Sequence, residues 1–348
     1  MLTVLEDQLE AARRLLPEPV YEYYRAGAGD EVTTDEAGAA WASFRVRPKP
    51  LRDVSKVDLS TELLGLSLRT PLLVAPMAFH LLAHPRGELA TSAGADEAGA
   101  LCVVSTRASF AFEEIAASTG APWWFQVYVM KDRDLTARLV ERAVASGARA
   151  LVLTGDTPYV GRKRRVGAVR IPLPDDHFLV NISRHVPNGS DGRAAAAQDP
   201  AIGLETIDWL NRLSGLPVVV KGVLRGDSAV ECLDAGAAAV IVSNHGGRQL
   251  DRGISSALAL GEVCAAVAGR APVLVDGGVR SGLDLFIALA LGARAALIGR
   301  PVLWGLACSG SDGVRDTLTA VLDDLEHVMA LAGTPGVGAI DNSFVTAL

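Results

Sequence analysis

A histidine and an arginine, His245 and Arg248, stand three apart in SNHGGRQLD, with paired glycines between them. A histidine exchanges a proton near neutral pH, and an arginine grips a carboxylate through two parallel hydrogen bonds. Asp156, in LTGDTP, follows another apolar run and could hold the imidazole and stabilise its protonated form. Lys221 ends the run VVVK. A lysine among apolar neighbours needs an anionic partner, which makes it either half of a structural ion pair or a group with chemistry to do. Two further runs end in glycine and arginine together, VDGGVRSG (275–282) and LIGRP (297–301). Bare backbone amides at a helix N-terminus, with Arg280 and Arg300 beside them, suit a phosphate. Each feature alone is ordinarily structural. Together they describe proton transfer on an anionic substrate next to a bound phosphate.

Eight short apolar runs precede these residues: LLVAPM (72–77), LCVVS (101–105), WFQVYV (124–129), ALVLT (150–154), VVVKG (218–222), AVIVSN (239–244), VLVDGG (273–278) and AALIG (295–299). Continuous rather than alternating hydrophobicity is the pattern of parallel strands covered on both faces. Helical stretches lie between them, at 134–146, 205–213, 228–234 and 256–267. The turns SGARA, AGAAA and LGARA each lead into a strand, their glycines suited to left-handed helix caps. Eight strand–helix units predict an α/β fold, a (β/α)8 TIM barrel, over an open doubly wound sheet. Such a barrel works at the C-terminal ends of its strands, and nearly every predicted end carries a polar or ionisable group.

Residues 1–70 break the alternation. Helices are predicted at 6–15, 18–26 and 35–44, followed by the extended segment RVRPKPL, giving an N-terminal helical extension packed on a barrel of residues 71–348. Residues 161–200 form the one long irregular stretch, expected to be a lid loop after strand four. The 348 residues carry 33 Lys+Arg against 40 Asp+Glu, a net charge of −7 that disfavours nucleic acid as a partner. No apolar run is long enough for a membrane span, and the acidic, amphipathic start lacks a signal-peptide core, so a cytoplasmic protein is expected. Four scattered cysteines form no CxxC pair, read as reduced structural thiols, and no metal site is expected.

SNHGGRQLD also carries a family resemblance. The chain resembles the FMN-dependent α-hydroxy acid oxidases and dehydrogenases, such as glycolate oxidase, lactate oxidase and mandelate dehydrogenase. The likeness runs through YEYYRAGAGDE (21–31), LLVAPMA (72–78), HPRGE (84–88), WFQVYV, LTGDTP, VVVKGV, IVSNHGGRQLD, VLVDGGVRSG and LIGRP, in matching order and spacing. It implies FMN as cofactor. Pro76, Met77 and Ala78 would lie against the flavin, Ser105, Gln126 and Thr154 on its polar edge, and Lys221 near N1 and O2, with Ser243 in contact. Asp276, Gly277, Gly278, Arg280, Gly299 and Arg300 would hold the ribityl phosphate. His245 resembles the catalytic base, Asp156 its orienting partner, Tyr128 the hydroxyl at the reacting oxygen, and Tyr23 and Arg248 the carboxylate ligands. A homo-oligomer, by resemblance a tetramer, is implied.

The chain departs from the family in GRKRRVGAVR (161–170). Lys163 stands where a second carboxylate-binding arginine is expected, so Arg162 or Arg164 takes over or substrate binding weakens; a solvated face for the run Arg162–Arg165 is the bland alternative. Arg107 replaces a Trp of glycolate oxidase. The reading is oxidation of an (S)-2-hydroxy acid to the 2-oxo acid, with O2 the expected acceptor because no cytochrome domain or apolar insert is present. Small Ala78, with Phe79 and Phe110 nearby, leaves room for an aryl group and favours mandelate or 4-hydroxymandelate over lactate or glycolate. The rivals are a barrel resembling isopentenyl-diphosphate isomerase or IMP dehydrogenase, and a flavin-binding barrel that has lost catalysis.

Overall fold

The computed structural model describes residues 3–164, 180–181, 194 and 196–348. All eight predicted runs form strands: Leu72–Val74, Leu101–Ser105, Trp123–Val127, Leu151–Thr154, Val218–Val223, Ala239–Val242, Val273–Asp276 and Ala295–Ile298. Each pairs in parallel with the next, and the eighth pairs with the first through Ala296 opposite Leu72 and Ile298 opposite Val74. The barrel is closed. Most strands stop one to three residues before their motifs do, which leaves the motif ends in the rim loops.

Side chains alternate across a strand. One parity packs outward on the helices; the other, including Leu73, Val103, Trp124, Val152, Ile241 and Leu297, fills the barrel interior as its own cluster. One more inward step reaches Ala75 on the first strand and Ser105, Gln126, Thr154, Lys221, Ser243, Asp276 and Gly299 on the other seven. A polar tier therefore caps an apolar core.

The helices expected between strands form as Arg133–Ala145, Glu205–Ser214, Gly226–Asp234 and Ser256–Val267. Asp132 caps the first of these by accepting from the Asp134 and Leu135 amides, as a residue with a short acceptor side chain does at a helix start. The turn glycines Gly147, Gly236 and Gly292 all adopt positive φ, as the GARA-type turns predict. A long helix follows the eighth strand, Arg300–Ala332, broken at Ser309 and Gly310.

Before the barrel come helices Val4–Leu15, Glu18–Arg25 and Val32–Ala42, close to expectation. The segment after them adds Phe44–Val46, which pairs antiparallel with Val345–Ala347 and ties the two ends of the chain together. A hairpin of Thr61–Leu63 and Leu66–Leu68 has no counterpart in the sequence reading. Its turn places Leu64 and Gly65 at φ 50° and 76°, the two positive values a tight hairpin favours. Leu63 and Leu68 join the interior cluster and close the floor of the barrel. Among the described residues no helix is long and apolar enough to cross a membrane. Of the segment expected to be a lid, residues 165–179, 182–193 and 195 lie outside the described residues, Arg165 among them.

Candidate active site

The polar tier is wired together. Lys221 Nζ lies 2.9 Å from Asp276 Oδ2 and donates to Ser243 Oγ at 2.6 Å. Burial works against the ammonium, but the Asp276 and Asp156 carboxylates outweigh it and hold Lys221 above its ordinary pKa. Gln126 Oε1 accepts from Ser105 Oγ at 3.2 Å and from the Thr106 amide at 3.1 Å, while its Nε2 donates to Thr154 Oγ1 at 3.0 Å. Three residues predicted for one edge of a cofactor thus share a single chain of hydrogen bonds.

Beyond the sixth strand, His245, Gly246 and Gly247 have φ of 58°, 63° and 74°. This left-handed run swings the imidazole back over the strand ends, where His245 Nδ1 meets Asp156 Oδ1 at 3.0 Å and Oδ2 at 3.3 Å. Burial raises the Asp156 pKa, yet the His245 contact and the Lys221 charge hold it below the usual carboxylate range. An ionised Asp156 accepts a hydrogen bond from Nδ1–H, which leaves Nε2 of a neutral ring as a proton acceptor. Arg248 donates from Nη1 to the Tyr24 carbonyl at 3.0 Å and the Ala26 carbonyl at 2.8 Å, with its guanidinium 5.5 Å from the Tyr23 ring centre. Tyr128 is kept protonated first by burial and then by the nearby Asp156 charge.

These groups share one cavity of about 520 Å³, lined by Tyr23, Pro76, Met77, Ala78, Ser105, Tyr128, Lys221, His245 and Arg248, and by Asp276, Gly277, Gly278, Arg280, Gly299 and Arg300. Gln126, Thr154, Ser243 and Asp156 lie directly behind that lining, each bonded as described. At the Gly/Arg end, Gly277 and Gly278 take φ of 96° and 82°. A Cβ on Gly278 would stand 2.7 Å from the Ala37 carbonyl oxygen, so the backbone there is bare by necessity. Burial, then the Arg248 and Arg280 charges, lowers Arg300 to about 9. The helix after strand seven does not offer its N-terminus as expected: Ser281 and Asp284 cap it reciprocally, and Asp284 also accepts the Arg280 amide. An anion at this end meets glycine amides, guanidinium groups and the helix that starts at Arg300, whose N-terminus has no side-chain cap.

The basic run resolves into one inward and two outward residues. A bridge pairs Lys163 with Gly29, and the alternation points Lys163 inward and Arg162 and Arg164 to solvent. Arg164 pairs with Asp30 at 2.8 Å on the surface, so neither arginine replaces the missing one. Burial first, then the Arg248 and Arg300 charges, lowers Lys163 to about 8. Phe79 and Ala78 line the cavity as expected, but Phe110 does not; its ring turns toward Gly87. Arg107 lines the cavity beside them.

Two participants were given no role by the sequence reading. The Tyr24 carbonyl accepts from both Arg248 Nη1 and Arg300 Nε at 3.0 Å, joining the two ends of the site. Asn244, beside the singled-out Ser243, has its Oδ1 buried with no partner among the described residues. Its position one residue before His245 was the available signal; a backbone carbonyl leaves none.

A family model for the FMN-dependent dehydrogenases matches residues 12–347. The chain belongs to this family. It is similar to an L-lactate oxidase of Nostoc sp., 46% identical over 97% of this chain and 96% of that one, and to 2-hydroxyacid oxidase 1 of Homo sapiens, 40% identical over 99% and 96%. A mandelate oxidase solved with (S)-4-hydroxymandelic acid is 38% identical and superposes with a TM-score of 0.90, covering 99% of this chain and 98% of the other. The protein is an FMN-dependent oxidoreductase with the predicted (β/α)8 barrel. Its own residues fit FMN. Asp276 Oδ1 and Arg300 Nη2 are buried without partners among the described residues, an acceptor and a donor at the end where the family's cofactor presents hydroxyls and phosphate.

Proposed function

We propose that the protein oxidises an (S)-2-hydroxy acid to the 2-oxo acid, with His245 as the base. The observation that carries the reading is the His245–Asp156 pair, 3.0 Å apart and opening onto a cavity shared with Arg248 and Tyr128. Bound FMN supplies a two-electron acceptor. Met77, Ala78 and the Gln126 chain would hold its ring, Lys221 would balance negative charge on its pyrimidine side, and Gly277, Gly278, Arg280, Gly299 and Arg300 would hold its phosphate. Arg248, Tyr23 and Lys163 bind the substrate carboxylate, the arginine through two hydrogen bonds and the lysine as a point charge. Tyr128, held protonated, donates to the substrate hydroxyl oxygen. His245 Nε2 takes up a proton, and Asp156 stabilises the imidazolium that results.

The substrate proposed is mandelate or 4-hydroxymandelate, supported by Ala78 and Phe79 at the cavity wall and by the likeness to a mandelate oxidase. The resemblance to a lactate oxidase supports lactate as the second reading. Dioxygen is the proposed acceptor, since these relatives are named oxidases. The reading further takes residues 1–70 as an extension that completes the barrel of 71–348, supported by the Ala28 amide donating to the Gly247 carbonyl at 2.8 Å. A cytoplasmic homo-oligomer belongs to the same proposal. Anaerobic mixing with (S)-mandelate tests it: loss of the yellow flavin absorbance is expected, faster than with lactate. Faster reduction by lactate would sink the aryl assignment, and reduction by no 2-hydroxy acid would leave a barrel without this catalysis.

A further inference from the structure

The motif HPRGE (84–88) supplies no lining to the cavity, yet its glutamate is built into the rim from behind. Glu88 lies in the first turn of the helix Gly87–Ala98, after the first strand, and is 3% exposed. Its Oε1 accepts two backbone amides from two rim loops: His80, after the first strand, at 3.1 Å, and Ser109, after the second, at 3.0 Å. Oε2 is buried without a partner among the described residues, so Oε1 is the atom that holds the rim. Glu88 is not half of an ion pair with His80. Burial lowers that imidazole's pKa against the pull of Glu88, and its Nδ1 lies 2.8 Å from Thr91 Oγ1.

The two loops meet at Phe79. Its amide donates to the Arg107 carbonyl at 3.0 Å, its carbonyl accepts from the Tyr24 hydroxyl at 2.5 Å, and the next amide along is the one that Glu88 holds. These bonds keep Phe79 at φ 60° and ψ 50°, a left-handed conformation that is costly for a bulky side chain. Its ring is buried, with its centre 6.3 Å from that of Tyr23, and lines the cavity beside Ala78. Glu88 thus stands behind the wall that gives the aryl group its room.

We propose that Glu88 is a positioning residue that fixes the Ala78–Phe79 wall and so sets how the cavity receives the substrate's side chain. The inference rests on the 2-hydroxy acid reading above and deepens its aryl preference. A carboxylate leaves water only at a cost, which its two amide donors and the positive end of its own helix offset. An apolar residue of the same volume would leave both amides buried and unpaired, and the two loops would move apart to reach water.

The test compares kcat/KM per bound flavin for (S)-mandelate and (S)-lactate, in the holoenzyme and in Glu88→Met and Glu88→Gln. Glu88→Met, which fills the space without an acceptor, is expected to lower the mandelate-to-lactate ratio about tenfold or more, because lactate has no ring to meet the displaced wall. Glu88→Gln keeps an oxygen for the two amides and is expected to restore most of the ratio. A residue that only stabilised the fold would lower the yield of flavin-bound protein and leave the ratio per flavin as it was. A binding measurement stands beside the kinetics: benzoate, which cannot react, is expected to perturb the flavin spectrum at higher concentration in Glu88→Met than in the wild type, while acetate shows no such change. Bound-flavin absorbance shows whether each variant folds, with Glu88→Ala as the replacement if Met fails. A ratio unchanged in Glu88→Met, or one lowered as far in Glu88→Gln, would overturn the role of Glu88 and leave the 2-hydroxy acid reading standing. Reduction of the wild-type flavin by neither acid would overturn both.

Discussion

At the scale of the residue, His245 is the group on which the proposed chemistry turns, and its backbone is strained. A non-glycine residue at φ 58° carries a cost of roughly 1–3 kcal/mol that the surrounding loop must hold in place. The return is an imidazole whose Nδ1 is engaged by Asp156 and whose Nε2 stays available. His245→Ala is expected to retain FMN, because the residues fitted to the cofactor are untouched. Flavin reduction measured by stopped flow should slow by about 10²–10⁴-fold; an unchanged rate would remove His245 from its role. Lys163 makes a different prediction, in pH. Its pKa, lowered to about 8, leaves it charged below that value and neutral above it. Its contribution to anion binding is therefore present below about pH 8 and lost as pH rises through it. kcat/KM should decline above that pH in the wild type, and Lys163→Arg, which stays charged, should shift the decline upward. Matching profiles for the two proteins would show that Lys163 does not bind substrate.

At the scale of the element, the strands and the rim loops do separate jobs. The strands deliver six polar inward side chains at one level, because the side-chain period of two is shared by every strand of a closed, registered barrel. The loops supply the reacting groups, and they need support from outside the barrel. Gly247 shows how: its carbonyl accepts the Ala28 amide at 2.8 Å, and a Cβ on it would lie 2.4 Å from Thr34 Oγ1 and 2.8 Å from the Thr34 amide nitrogen. The helix Val32–Ala42 therefore sits against bare backbone two residues from His245. Gly247→Ala combines a positive φ with a backbone clash, and should lower kcat/KM by more than about tenfold as the His245 geometry loosens. Limited proteolysis should then cut within residues 26–34 sooner than in the wild type. Wild-type kinetics in that variant would show that the extension does not support the loop.

At the scale of the whole molecule, two closures matter. The eight strands close on themselves, and the hairpin Thr61–Leu63 and Leu66–Leu68 closes the floor with Leu63 and Leu68. The interior is then apolar from its floor to the polar tier, so the Lys221–Asp276 pair meets apolar side chains on one side and the cavity on the other. Leu63 is only 1% exposed, so Leu63→Ala should destabilise the fold by about 2–5 kcal/mol in urea denaturation at fixed FMN concentration. A loss below 1 kcal/mol would mean that the floor collapses onto the gap or contributes little. The charge distribution is the second global feature. A chain of net charge −7 gathers Arg107, Lys163, Arg248, Arg280 and Arg300 around one cavity or just behind it, opposite in sign to the molecule as a whole.

What the amino-acid order determines by itself is the barrel and the membership of its polar rim. Eight continuous apolar runs, nearly all with a polar or ionisable group at or just past their end, specify both, since strand hydrophobicity and inward parity are local properties of the chain. SNHGGRQLD, VVVK and VDGGVRSG were legible for the same reason: each places its chemistry within one run of residues. The tertiary structure alone decided the rest. The Tyr24 carbonyl that joins Arg248 to Arg300, and the hairpin beneath the barrel, depend on residues far apart in sequence or on strands of three residues, too short to carry a period. The inward turn of Lys163, which sets Arg162 and Arg164 outside, follows from a bridge to Gly29 more than a hundred residues earlier. The sequence names the residue types at the rim. Which of them face one another is a property of the closed barrel and of the extension folded across it.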